Sequence, residues 1–397
     1  MDHDIVISGG GIAGLTATAA FASAGFRVLC VDPSPPVTDR EAEGADLRTT
    51  AFLQPAQAFL EETGLWARLA DHAMPLDVMR IVDAGGEVPE PRVIKDFQSS
   101  DLSDKPFGWN LPNWLLRREM TARLGELANV DFRPGTATTS LFTRQAEARV
   151  GLSDGTRVRC KLVIAADGRA SPMRQAAGIG VKTTRFGQKA LAFAVTHPIP
   201  HGNVSTEIHR TGGPFTLVPL PDFNGRPSSA IVWMEEGPKA EALFALPDDA
   251  FQDAMSERSC HLFGPLTLAS RRTIWPIIAQ EAEHLTAQRL ALVAEAAHVV
   301  PPIGAQGLNM SLRDITTLLD LAKASPDTLG DQAMLDAYHR RRITDIRARV
   351  AGITTLNKIS MMSAPTLRDL RAKGLDALYS LKPVRTNLMR LGLGAGS

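Results

Sequence analysis

The 397-residue chain has only three cysteines, Cys30, Cys160 and Cys260. They lie far apart and form no C-x-x-C pair, which excludes a zinc-ribbon signature and a disulfide framework and points to a reducing cytosol. Cys30 and Cys160 each sit in an apolar, strand-like run and read as buried, inert thiols. Net charge is also missing: Lys plus Arg number 43, and so do Asp plus Glu. That balance argues against a broad nucleic-acid surface and leaves room only for a local basic patch. No apolar run reaches the ~18 residues that a membrane-spanning helix needs. Asp2 and Asp4 stand where a signal peptide would carry positive charge. Neither an internal repeat nor a low-complexity segment occurs.

What remains is ordinary globular composition, with 44% apolar and 22% charged residues, long enough for two or three domains. Ile5-Val6-Ile7 reads as a buried parallel strand, Ile12 to Ala24 as a packed helix stopped by Gly25, and Phe26 to Val31 as a second strand ending at Asp32. This is a βαβ unit, and a parallel pair needs a covering helix, so the core is expected to be α/β. Leu47 to Leu69 reads mainly helical, Asn113 to Leu127 as an amphipathic helix, and Lys161 to Ala166 as a buried strand. Between 186 and 280 the pattern changes. Ala190–Thr196, Ser205–His209, Phe215–Leu220 and Ser229–Met234 are strand-like, with turns at Gly212-Gly213 and Asn224-Gly225, and predict a mostly antiparallel sheet. Leu290–Ala294 returns to a buried-strand pattern. A helix from about Gly307 carries Leu308, Leu312, Ile315 and Leu319 on one face, and Asp331 is placed to cap a last long helix through Met334, Leu335, Tyr338 and Ile346.

The chemistry starts at Gly9-x-Gly11-x-x-Gly14, between the first strand and the first helix. The first glycine permits a tight turn, the second lets backbone approach a pyrophosphate, and the third lets helix and strand pack closely. The helix N-terminus, at Ile12 and Ala13, offers N–H groups and partial positive charge to phosphates. Asp32 follows at the end of the second strand, where a carboxylate can accept hydrogen bonds from ribose hydroxyls. Strand, helix and acid in these places make a dinucleotide site. The motif alone does not separate FAD from NAD, but its position near residue 1 of a long chain favours a dinucleotide that stays bound.

Three further segments give the pattern a family. Val163-Ile164-Ala165-Ala166-Asp167-Gly168-Arg169 is similar to the Asp-Gly motif of the group A flavoprotein hydroxylases. Leu292-Val293-Ala294-Glu295-Ala296-Ala297-His298 resembles their second FAD motif. Pro301-Pro302-Ile303-Gly304-Ala305-Gln306-Gly307-Leu308-Asn309-Met310-Ser311-Leu312-Arg313-Asp314 resembles the loop and helix beneath the flavin ring. The resemblance covers almost the whole chain, including Tyr338-x-x-x-Arg342-x-x-Asp345. It implies a p-hydroxybenzoate-hydroxylase fold: a Rossmann-like FAD-binding domain (residues 1–75, 105–180 and 281–330), an inserted, mostly antiparallel substrate-binding sheet (76–104 and 181–280) and C-terminal helices (331–397). The FAD contacts it implies are Gly9, Gly11, Ile12, Ala13, Gly14, Asp32, Arg48, Arg117, Asp167, Gly168, Glu295, Gly304, Gly307, Leu308 and Asn309, with Pro302 and Gly304 as flavin-loop candidates. No residue identifies itself as the phenol base, and no metal is implied. Ala294 and Glu295 depart from the family's glycine and aspartate, adding a methyl group and a methylene where cofactor and backbone approach closely. His298 belongs to a packed motif. Trp109, Trp114, Trp233 and Trp275 fit core packing, or else the lining of an aromatic pocket.

Asn113 in Pro-Asn-Trp, the segment Gly213-Pro214-Phe215-Thr216-Leu217-Val218-Pro219-Leu220 and the Gly-Ala-Gln-Gly-Leu-Asn loop are most similar to the 2-polyprenylphenol hydroxylases of ubiquinone biosynthesis. The resemblance implies NAD(P)H or a protein as electron donor, O₂ as co-substrate, and oxygen transfer to a phenolic ring through a flavin C4a-hydroperoxide. A polyprenylated substrate goes with a cytoplasmic enzyme able to touch the inner membrane face. Leu381, Val384, Leu388, Met389 and Leu391 beside Lys382, Arg385 and Arg390 suit an anionic bilayer or a docked partner, although Pro383 interrupts a helix there. A biosynthetic complex and a homo-oligomer stay open. Alternatives are hydroxylation of a soluble aromatic or secondary metabolite, a different FAD reaction such as prenyl reduction, and a non-catalytic scaffold, for which the Ala294-Glu295 departure is the support.

Overall fold

The computed structural model describes residues 1–86, 88–361, 379, 386–387 and 389–390. Ile5–Ser8 forms strand β1, buried throughout. The chain turns through Gly9–Gly11 into helix α1 (Ile12–Ser23) and returns in β2 (Val28–Asp32), parallel to β1. Small and apolar residues surround α1 on all sides because it is covered on all sides. It closes on Gly25 (φ +93°): the Gly25 N–H donates to Ala22 O and the Phe26 N–H to Phe21 O, at 2.9 and 3.2 Å. Those paired bonds satisfy the last carbonyls of a helix that a left-handed residue follows.

Residues 47–69 depart from the helical expectation. Thr49–Leu53 is a strand, β3, and the helix over Gln54–Glu62 starts only where Pro55 occupies its first turn, a position that needs no N–H. Next come β4 (Met74–Leu76), β5 (Val78–Asp83), β6 (Val93–Gln98) and β7 (Gly108–Pro112). β7 pairs antiparallel with β3 on one side and β4 on the other, so tertiary pairing decided the conformation of Thr49–Leu53. Helix α2 (Asn113–Gly125) then packs on α1.

After β8 (Val130–Pro134) a three-stranded meander over residues 138–160 leads to β9 (Leu162–Ala165). Four long strands follow: β10 (Val181–Thr196), β11 (Val204–His209), β12 (Pro214–Phe223) and β13 (Arg226–Glu236). Then come β14 (Thr273–Ala282), β15 (Leu290–Leu292), β16 (His298–Val299), helix α3 (Gln306–Ala324) and helix α4 (Gln332–Ser360). The Asp331 carboxylate caps α4 by accepting from the Met334 N–H at 2.8 Å.

One sheet runs Thr286–Ala287, β15, β9, β1, β2, β8, and all of it is parallel except the edge strand. The chain leaves this sheet after β9 and re-enters at β15. Between, it builds most of a nine-stranded sheet ordered β16, β14, β10, β13, β12, β11, β5, β6, with Thr267–Leu268 beside β10. Its pairings are antiparallel except β11 on β5. Alternation along β10 sorts the two faces. Leu191, Phe193 and Val195 point to one side, packing with Phe215, Trp233 and Phe251 under the helices over 237–258. Phe193, Phe215 and Phe251 are at most 1% exposed, and each contributes about 1.5–3 kcal/mol by burial. Ala190 faces the other way, with Met234, Ile277, Trp275 and Ile303.

Cys30 and Cys160 are buried in the first core, and desolvation pushes both thiols up to about 12. Among the described residues no helix is long and apolar enough to cross a membrane, and no group of His, Cys, Asp and Glu could hold a metal ion. Leu381, Lys382, Pro383, Val384, Arg385, Leu388 and Leu391 lie outside the described residues. Met389 packs with Leu53 and Phe107.

α3 and α4 are joined through the fully buried Asp314. Its Oδ2 accepts from His298 Nε2 at 2.7 Å and from the Ala294 N–H at 3.2 Å, and its Oδ1 accepts from Arg342 Nε at 2.8 Å. Burial pushes this carboxyl up, but the charges and hydrogen bonds of His298 and Arg342 outweigh it and hold the group below its ordinary value. A depressed folded value gives stability that is present above the unfolded carboxyl's pKa of ~3.9 and is lost as pH falls through the lower folded one. Asp314→Asn leaves Arg342 buried beside a neutral group, and urea denaturation at neutral pH is expected to show a loss of about 3–5 kcal/mol. The variant's remaining stability should also fall less steeply below pH ~4 than that of the native protein.

Candidate cofactor and active site

The glycine loop is shaped by what its glycines touch. Gly9 sits at φ +106°, and a side chain there would run into the backbone of Ala166 and Asp167. A Cβ on Gly14 would strike the Gly9 carbonyl, whereas a Cβ on Gly11 would meet nothing within 4 Å. Gly9 and Gly14 therefore serve packing, and Gly11 faces open space. Gly11 is also the N-cap of α1, and no side chain caps that helix. The first-turn N–H groups around Ile12, Ala13 and Gly14 are left for an anion.

Asp32, at the end of β2, closes the loop: its Oδ2 accepts from the Gly10 N–H at 2.7 Å and its Oδ1 from the Ser34 N–H at 2.9 Å. Across the loop, Asp167 Oδ2 accepts from the Met173 N–H and the Ser8 hydroxyl at 3.1 and 3.2 Å. Burial raises the pKa of Asp167, and its Oδ1 is buried with no partner. Gly168 follows at φ +81° with open space beside it.

A second group forms where β3 meets α2. Arg48 gives a two-pronged pair to Asp46, Nε to Oδ1 at 2.8 Å and Nη2 to Oδ2 at 2.7 Å. Asn113 Nδ2 donates to the same carboxylate at 3.0 Å, and Arg117 adds a further positive charge near it. Arg117 Nε is buried without a partner. Arg48 also lies over the Trp275 ring, 5.5 Å from its centroid, and feels the negative charge of the exposed Glu295. Glu295 stands in a 3₁₀ turn whose first residue, Ala294, has φ +56°. The alanine thus takes the left-handed conformation that the glycine of the resembled motif adopts without strain.

The third group is the loop before α3. Pro302 is exposed, Gly304 and Ala305 take φ +63° and +55°, and Gly307, Leu308 and Asn309 form the first turn of α3, which no side chain caps. Asn309 commits its side chain to the protein: Nδ2 donates to Ala51 O and Ala305 O at 2.8 and 2.6 Å, and Oδ1 accepts from the Leu53 N–H at 2.9 Å. It ties the loop to β3, so any cofactor contact from this residue falls to its backbone.

The four tryptophans do not line one pocket. Trp233 lies in the second core, Trp109 packs edge-on to Trp66, Trp114 lies under Arg118, and Trp275 alone joins Ile303 of the loop. His298 is spent on Asp314, which leaves it a packing role. Sequence reasoning missed Asp46, which organises Arg48, Asn113 and Arg117, because a lone aspartate in a loop carries no periodic or motif signal. It also gave Asp314 no role, although that residue stood in a recognised segment.

A dinucleotide fits these features. An unobstructed Gly11, an uncapped helix, and the orphaned Arg117 Nε and Asp167 Oδ1 are what a pyrophosphate flanked by hydroxylated sugars would satisfy. A family model described as an FAD binding domain matches residues 2–352. The chain belongs to this family of FAD-dependent hydroxylases. A ubiquinone hydroxylase of Rhodospirillum rubrum is 31% identical over 98% of the chain and 89% of its own length. A 3-demethoxyubiquinol 3-hydroxylase of Escherichia coli is 25% identical over 98% of both. The crystal structure of a p-nitrophenol 4-monooxygenase from Pseudomonas putida superposes with a TM-score of 0.80 at 19% identity, covering 98% of each chain, which shows a common fold.

Two substitutions separate packing from cofactor binding in this hydroxylase. Gly11→Val should leave the melting temperature of the cofactor-free protein within a degree or two, yet weaken FAD binding at least about tenfold, roughly 1.4 kcal/mol, in a flavin fluorescence titration. Ala294→Gly should relieve the left-handed strain and stabilise the fold by about 0.5–1 kcal/mol in urea denaturation, with FAD retained.

Proposed function

We infer that this enzyme is an FAD-dependent monooxygenase of ubiquinone biosynthesis that hydroxylates the ring of a polyprenylated phenol. The observation that carries the reading is the meeting of the 301–307 loop with the large sheet. Ile303 packs on the cluster of Ala190, Met234 and Ile277, as Trp275 does, so the loop that the family places under the flavin ring faces an apolar sheet surface. The hydroxylase names of the relatives at 31% and 25% identity point the same way.

Bound FAD supplies two-electron redox chemistry and, once reduced, reactivity toward dioxygen. The chain's own residues do the rest. α1 and Arg117 would hold the pyrophosphate, and Asp32, Asp167 and Glu295 would accept from sugar and ribityl hydroxyls. The Gly304–Gly307 backbone and the α3 N-terminus would stabilise negative charge on the reduced cofactor. The Ala190–Met234–Ile277 surface would exclude water from a substrate held there. In balance, one atom of O₂ enters a ring C–H bond, the other leaves as water, and NAD(P)H or a protein donor supplies the two electrons. Residues 1–75, 105–180 and 281–330 then form the cofactor domain, 76–104 and 181–280 the substrate domain, and 331–397 a helical region. A cytoplasmic enzyme working at the inner membrane face, alone, as a homo-oligomer or within a biosynthetic complex, follows from an apolar substrate.

Turnover of a prenylated phenol under isotopically heavy dioxygen tests the reading. The product is expected to carry one heavy oxygen per ring, with donor oxidation stimulated at least about tenfold by substrate. Donor oxidation without label in the product would reject hydroxylation.

A further inference from the structure

A phenolic substrate brings a hydroxyl group into an apolar site, where a polar group without a partner costs free energy. Ile208 lies in the core under the helices over 237–258, so alternation along β11 turns Glu207 and His209 to the opposite face, the one that carries Ala190 and Met234. Strand register then places them. One row across the sheet runs Thr273, Ala192, Val232, Thr216, Glu207, and the next holds Trp275, Ala190 and Met234, with His209 beside Pro214. Val232 packs on the same cluster as Ile303 of the 301–307 loop. Glu207 stands two strand spacings from Val232 along its row, ~10 Å, with only Thr216 between.

These two side chains are paired. His209 Nε2 donates to Glu207 Oε1 at 2.8 Å, and the side chains are 16% and 20% exposed. Glu207 Oε2 accepts from no donor among the described residues and remains accessible, while His209 Nδ1 is buried and unpartnered. The imidazole thus steadies the carboxylate and leaves one of its oxygens open. In the two rows Glu207 and His209 are the ionisable residues, and the others are apolar apart from Thr216 and Thr273. On the far side β5 sets Ile81 beside Glu207 and Asp83 beside His209, and Asp83 is held by Arg92 Nη2 at 2.7 Å. A half-exposed pair adds little to stability. A carboxylate oxygen at the end of an uncharged floor is instead placed for a hydroxyl donor.

We propose that Glu207 is a catalytic residue that accepts the ring hydroxyl of the substrate through Oε2, with His209 as its positioning residue, an assignment that rests on the hydroxylase reading above. A carboxylate is too weak a base to ionise a resting phenol, whose pKa is ~10. It acts as the ring carbon bonds to oxygen. Electron density then leaves the hydroxyl, its O–H bond breaks, and the proton passes to Oε2 while the electron pair stays with the ring. The attacked carbon next loses its own proton to water, the ring regains aromaticity, and Glu207 returns its proton to the phenolic oxygen. The protein gains no net proton, and the oxidant and reductant remain O₂ and the electron donor.

The test uses the FAD-loaded full chain, an electron donor, isotopically heavy dioxygen and a prenylated phenol. Glu207→Gln keeps the shape of the side chain and removes the base. It should retain the flavin absorbance, yet slow labelled product formation about 10²-fold or more at neutral pH, with hydrogen peroxide formed in its place. Raising the pH should restore the rate about tenfold for each unit toward the phenol's pKa of ~10, because a phenolate needs no acceptor. The native enzyme should gain far less, and a merely distorted site would show no such recovery. Glu207→Asp should keep more activity than Glu207→Gln, and His209→Gln should cause a smaller loss than either removal of the carboxylate. A Glu207→Gln rate within about twofold of native, or a loss that higher pH leaves in place, would overturn the assignment of Glu207. If the native protein puts no label into the ring, the hydroxylase reading itself fails and the assignment falls with it.

Discussion

α1 lies so close to β1 that Gly14 has no room for a side-chain atom, because a Cβ there would strike the Gly9 carbonyl, and Gly9 in turn rests on the backbone of Ala166. This three-way backbone contact ties the first strand, the first helix and the turn after β9 into one rigid corner. The rest of the cofactor site hangs on it. It points the uncapped end of α1 at the space beside Gly11, sets Asp32 under the loop and brings Asp167 opposite. Loss of either packing glycine would move all three together, which is why a motif of three small residues governs so much of the molecule.

A second anchor holds the flavin side. Asp314 joins the turn at Ala294, His298, α3 and Arg342 of α4, and Asn309, one turn earlier on α3, fastens the preceding loop to β3. The loop that faces the apolar sheet is thus rigid at both ends. A site assembled from two discontinuous stretches of chain needs such ties, since the parallel sheet is left after β9 and rejoined only at β15. Charge is gathered in the same regions. Arg48 and Arg117 crowd Asp46, and Arg313, Arg342 and Arg349 crowd Asp345.

Much of this was legible from residues alone. The βαβ unit, the Gly25 stop, the Asp331 cap and the four long strands follow from periodicity, turn chemistry and spacing, which act over a few residues. Thr49–Leu53 was not legible. Its local pattern reads as helix, and only pairing with Gly108–Pro112, more than fifty residues on, makes it a strand. The tryptophans likewise gave no sign of which would meet the flavin loop.

By itself the sequence pointed to a dinucleotide at a glycine loop with an acid at a strand end, because those steric and hydrogen-bonding demands are local. It also determined the family, through four segments spread along the chain. The tertiary structure alone decided which buried atoms are left unpaired among the described residues, Arg117 Nε and Asp167 Oδ1 among them. It also decided that Asn309 and His298 serve the scaffold. Whether a polar atom has a partner depends on neighbours brought in from distant parts of the chain, and no local pattern records that.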